Sequence, residues 1–82
     1  MVQNKGGDVV DNHIEKEYKF KDFKSALNFV NKIGEISEEE NHHPNIYLEY
    51  GKVKIILWTH SQNKVTELDF KLAKKFDDIY GN

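Results

Sequence analysis

From Ile14 to Phe20 the even positions read Ile14, Lys16, Tyr18 and Phe20, an apolar row with one lysine in it. A period of two turns one side of an extended chain toward a core, so this stretch predicts a half-buried strand. After Asp22, a good helix N-cap, the spacing changes. Phe23, Ala26, Leu27, Val30 and Ile33 follow at helical intervals and predict one apolar stripe. Gly34 weakens a helix by about 1 kcal/mol relative to alanine, so the helix ends there or runs on to about Glu40. Pro44 holds the residue before it out of helical geometry, which puts His43 in extended backbone. Ile46 to Tyr50 predicts a second strand, Gly51 and Lys52 a tight turn, and Val53 to Thr59 the returning strand. Val53, Ile55, Leu57 and Thr59 then share one face, and Lys54, Ile56, Trp58 and His60 the other. The last helix has the clearest start. Thr66 is a good N-cap, Asp69 three residues on makes a variant capping box, and Val65 with Phe70 occupies the positions of a hydrophobic staple. Leu68, Leu72, Phe76, Ile79 and Tyr80 form its apolar stripe, and Gly81 is a natural stop.

The order is strand, helix, hairpin, helix, with an optional edge strand at Val9 and Val10. This is an α+β arrangement, (β)βαββα, in which two helices pack on one face of an antiparallel sheet. The chain has 82 residues, which fits a single domain spanning 1–82, with residues 1–12 as a loose N-terminal arm. A domain this small buries only about 60% of its unfolded surface, and no cysteine is present to staple it. Extra support would most easily come from oligomerisation. The net charge of -2 provides no basic surplus for DNA or RNA phosphates. No apolar run approaches a membrane span, and the N-terminus lacks the pattern of a signal peptide, so a cytoplasmic location is expected.

The four histidines carry the candidate chemistry. His13 stands alone in the polar arm and reads as a surface residue. His42 and His43 are fixed before Pro44, and His60 ends the strand that pairs with the one after Pro44. Hairpin geometry returns His60 to the end of the sheet where His42 and His43 lie. Imidazole both gives and accepts protons near neutral pH, so such a group can hold a substrate oxygen and move its proton. The bland reading is a chance cluster of surface histidines. A zinc site is the weaker alternative: adjacent histidines usually point apart, and no ligand pair stands at helical i, i+4 spacing. Asp69 reads first as a helix cap, though a carboxylate there can also orient a histidine. Glu38 lies in an acidic run whose default place is a solvated face.

Taken together, Glu38, His42-His43-Pro44, Tyr50, His60 and Asp69 resemble the signature of the pterin-4a-carbinolamine dehydratase family. Val53 to His60 (VKIILWTH) is similar to that family's strand into Thr-His. Val65 to Ala73 (VTELDFKLA) is similar to its Leu-Thr-x-x-Asp-x-x-Leu-Ala helix, and Tyr18 to Leu27 (YKFKDFKSAL) to its strand-to-helix passage. The likeness covers about Ile14 to Ile79. It departs in two places: the family's N-terminal helix is shortened or missing, and Asn63-Lys64 stands where Gly-Gly is usual. The resemblance implies dehydration of 4a-hydroxytetrahydropterin to quinonoid dihydropterin, which recycles the pterin cofactor of aromatic amino-acid hydroxylases. It implies His42, His43 and His60 as the catalytic group, with Asp69, Glu38, Pro44, Tyr50, Trp58 and Thr59 binding or orienting the substrate. It implies a homodimer or homotetramer, and no metal and no separate cofactor, the pterin being the substrate. Two other readings share the pattern: a non-catalytic oligomeric module of the same fold, and an enzyme on a related pterin such as one of molybdopterin metabolism.

Overall fold

A computed structural model describes residues 8–10 and 12–81. The elements are β1 (Asp8–Val10), β2 (His13–Lys19), α1 (Phe23–Glu40), β3 (Asn45–Glu49), β4 (Lys52–Leu57) and α2 (Glu67–Gly81). The strands form one antiparallel sheet in the order β1-β2-β4-β3. The optional edge strand is thus present as β1, and the earlier part of the arm lies outside the described residues. Both helices cover one face of the sheet, which is the α+β arrangement the sequence pattern predicts. Among the described residues no helix is long and apolar enough to cross a membrane.

Register follows from the alternation of side chains. Ile14 stands opposite Leu57, Lys16 opposite Ile55 and Tyr18 opposite Val53, while Ile46 and Leu48 flank Ile55 and Val53 from the other side. These inward residues meet Ala26, Phe29 and Ile33 of α1 and Leu72, Ala73 and Phe76 of α2 in a single core. A period-two pattern on the strands and a helical period on the helices converge there.

Two details differ from the sequence expectation, and one choice it left open, the end of α1, is decided. The buried stripe of α1 is Ala26, Phe29, Ile33 and Ser37, with Val30 and Ile36 partly packed; Phe23 and Leu27 stand exposed at its edge. The helix axis is therefore turned so that Phe29 enters the core, where it meets the rings of Tyr18 and Phe20 at 4.8 and 5.2 Å. The helix also runs through Gly34 to Glu40, since Ile33 and Ser37 on either side of it are both buried. Their packing outweighs the glycine's local cost of about 1 kcal/mol. Finally, Phe70 is half exposed and stays outside the core against which Val65 packs.

Lys16 is the exception in the inward row of β2. It is buried to 7% exposure, and its ammonium lies 3.1 Å from Asp77 of α2 and over the Tyr18 ring. The Tyr18 hydroxyl donates to the same carboxylate at 2.7 Å. Burial first, and then this bond to Asp77, pushes the phenol far above the usual tyrosine range. A buried charge needs such a partner, because an unpaired one loses its hydration without return.

Candidate active site

The site begins at the end of α1. Asn41 takes the left-handed conformation at φ 54°, and its N–H donates to the Glu38 carbonyl while the His42 N–H donates to that of Ser37. These two bonds close the helix as a Schellman motif, usually a task for glycine; asparagine is among the few other residues that accept it. The motif fixes where His42 leaves the helix, and residues 42–44 then lead into β3.

The second half of the site comes from the end of β4. The extended backbone continues past Leu57 to Thr59, which bridges back to Lys64 across a tight loop. Asn63 in that loop has φ 54°, so this chain meets with asparagine the positive φ that glycine would otherwise supply. Alternation along Trp58-Thr59-His60 sends Thr59 inward, where it is buried, and leaves His60 exposed.

Asp69 links the two halves. It has no solvent exposure and accepts three hydrogen bonds. Oδ2 takes Thr59 Oγ1 at 2.8 Å and the Thr66 backbone N–H at 2.9 Å. Oδ1 takes Nε2 of His42 at 2.5 Å. Thr59 has one hydroxyl hydrogen and spends it on Asp69, so Thr66 Oγ1 donates to Thr59 Oγ1 across their 2.7 Å contact. The capping box is therefore half made: the carboxylate returns to the Thr66 N–H, but the Thr66 hydroxyl turns to Thr59. Helix cap and histidine holder, which the sequence posed as alternatives, are one residue using different oxygens.

His43 reaches back to Glu38, its Nε2 2.6 Å from Oε2, on an exposed surface. His60 lies against Trp58 with ring centroids 4.2 Å apart. All three imidazoles line one open cleft of about 350 Å³, together with Asn41, Thr59, Ser61 and Leu68. Next to the cleft residue Asn41, Glu40 of α1 binds Lys75 at 3.1 Å and Lys71 at 3.4 Å on α2. The Lys75 contact, foremost, holds the Glu40 carboxyl below the usual carboxylate range.

The other expected site residues distribute unevenly. Thr59 lines the cleft, while Glu38 and Asp69 sit behind its histidines. Pro44 joins His43 to β3 without lining the cleft. Trp58 faces a second hollow of about 210 Å³ with Asn12, His13 and Asn63, and touches the first through His60. Tyr50 does not come to the site. It lies in the β3–β4 turn, 71% exposed, at the opposite end of the hairpin and about 20 Å along the strand from Pro44. The sequence reading missed Asn41, Ser61 and Leu68 as lining residues and Thr66 as a member of the Asp69 network. Of these only Thr66 had a signal, its hydroxyl at the N-cap. His13, given no role, pairs with Glu15 at 2.9 Å.

Comparison with known proteins agrees with this architecture. The profile of the family described as "Pterin 4 alpha carbinolamine dehydratase" matches residues 4–79. Relatives named for the same dehydratase include one from Alkaliphilus metalliredigens, 51% identical over 84% of this chain and 62% of its own length. Another, from Sulfurisphaera tokodaii, is 45% identical over 92% of this chain and 81% of its own. The chain spans 60% of a third, from Hahella chejuensis, at 46% identity. The chain thus covers less than two thirds of some of the relatives it matches. A solved structure from Brucella melitensis, titled a transcriptional coactivator/pterin dehydratase, superposes with a TM-score of 0.88 at 41% identity, over 93% of this chain and 83% of that one. A pterin dehydratase-like RuBisCO assembly factor of the alpha-carboxysome shares the fold, with a TM-score of 0.74 at 24% identity over 85% of this chain and 81% of that one. By the extent of the match and the level of identity, the chain belongs to the pterin 4 alpha carbinolamine dehydratase family.

Proposed function

We propose that the protein dehydrates 4a-hydroxytetrahydropterin to quinonoid dihydropterin by acid–base catalysis from His42, His43 and His60. The observation that supports this most is the meeting of the three imidazoles at one cleft, with the His42 ring steadied from behind by a buried carboxylate. The reaction breaks the C4a–O bond. The leaving hydroxyl takes a proton and departs as water, and a ring N–H gives up its proton to close the quinonoid system. One imidazolium supplies the first proton and one neutral imidazole accepts the second, so the site is reset once they exchange with water. His43 and His60 serve the 4a-hydroxyl side in this reading, and His42 assists. With Nε2 of His42 committed to Asp69, Nδ1 is the nitrogen left for substrate. The step as written uses no metal, nucleotide or covalent intermediate. A homo-oligomer belongs to the same reading.

Turnover of 4a-hydroxytetrahydropterin by the wild type and by His42→Ala, His43→Ala and His60→Ala tests it. Each acid–base group is worth roughly 10²–10⁴ in rate. Losses of that order at His43 and His60 are expected, and wild-type rates in both would overturn the assignment. The Brucella protein is described as both a transcriptional coactivator and a pterin dehydratase, which gives a second reading some weight, that of a partner module without turnover. A titration with a reduced pterin that shows no saturable binding would favour it.

A further inference from the structure

Each cleft imidazole has a different anchor. His42 is bonded to Asp69 and His43 to Glu38. The His60 ring has no hydrogen-bond partner among the described residues. Its ring lies instead on the indole of Trp58, centroids 4.2 Å apart and planes 26° from parallel. The geometry has a simple origin. Trp58 and His60 are two positions apart on extended backbone, so both side chains leave the sheet on the same face. Trp58 also lies near the ring of His13, at 6.3 Å and 55°, and His13 is bonded to Glu15 of β2. His13 lies beside the indole, and the indole presents a flat face to an imidazole that no hydrogen bond orients. Offset stacking of this kind selects one ring plane.

We propose that Trp58 is the positioning residue of His60: it sets the imidazole plane so that a ring nitrogen addresses the substrate, and it does not itself touch the reacting atoms. The kinetic part of this rests on the dehydratase reading above. The geometric part stands without it.

Two variants separate a ring face from mere bulk. Trp58→Leu keeps apolar volume without a ring, and Trp58→Phe keeps a ring. Misplacing a reacting group by about 1 Å lowers rates by up to about 10². Trp58→Leu is therefore expected to lower kcat about 10- to 100-fold with KM nearly unchanged, and Trp58→Phe to recover most of the loss. In a His60→Ala background, Trp58→Leu should have almost no further effect, because the two residues act as one unit. Losses that multiply in the double variant would overturn the proposal. Independently of turnover, the His60 ring protons should resonate upfield in the wild type through the indole ring current. They should move to ordinary positions in Trp58→Leu while those of His42 and His43 hold. Unshifted His60 resonances in the wild type would overturn it as well. An inactive wild type would sink the dehydratase reading alone, and the ring-current result would still decide whether Trp58 fixes His60.

Discussion

Asp69 is a carboxylate with three donors around it and no solvent exposure, and its replacements have separable consequences. Asp69→Asn retains the shape but offers one oxygen and an NH₂ where two acceptors stood. Either His42 or the Thr59–Thr66 side then loses its partner. We expect a loss of roughly 1–3 kcal/mol in urea unfolding, together with a fall of about 10² or more in kcat. Thr59→Val removes the hydroxyl and keeps the volume. It should destabilise by about 1–2 kcal/mol and lower kcat less than Asp69→Asn does, since His42 keeps its bond. Wild-type stability in both variants would mean that the network carries little of the fold. Much of this site was legible in the chain. His42, His43 and His60 converge by hairpin geometry, and Asp69 shows its capping role by its distance from Thr66. The bond between Asp69 and His42 spans 27 positions and needs the folded chain. Tyr50 is instructive in the opposite sense. The hairpin argument that brings His60 back to His42 also carries Tyr50 away, so its place in the motif reflects spacing along the chain and not closeness to the cleft.

At the level of elements, the strands and both helices were readable from periodicity, while the rotation of α1 and its length were not. Five apolar residues of α1 fit a stripe, but Phe29 and Ser37 face the core and Phe23 and Leu27 do not. A stripe read at its edge is displaced by one row, and only the sheet beneath decides which row is inner. Gly34 left the helix end open for the same reason, because packing on both sides of it was invisible. It now offers a test. A Cβ at Gly34 meets nothing within 4 Å, so Gly34→Ala should stabilise the protein by about 0.5–1 kcal/mol in chemical denaturation. A loss of stability there would show that the helix is strained at this point. The loop after His60 makes the reverse case. Asn63 sits at φ 54°, and a β-branched residue in that region costs about 1–2 kcal/mol. Asn63→Val should lower the urea midpoint accordingly, whereas Asn63→Gly should leave it unchanged or raise it.

Across the whole molecule, one polar cluster crosses the core. Lys16 in the apolar row of β2 looked like an interruption because its partner, Asp77, lies on the last helix. Between them Tyr18 holds its proton more tightly than a free phenol, chiefly because it is buried. A raised folded-state value means that stability is complete below the ordinary tyrosine range and declines above it, as the unfolded chain ionises first. Unfolding midpoints should therefore show no contribution from Tyr18 up to about pH 10 and a falling one beyond. Tyr18→Phe should remove about one proton's share of that alkaline decline, and an identical slope in the variant would count against the buried phenol as its source. A small domain with about 5–15 kcal/mol of total stability feels each such term. Its first helix turn matters still more, because the carboxylate that starts α2 is the one that steadies His42. Fraying of that turn and disarming of the imidazole are then a single event.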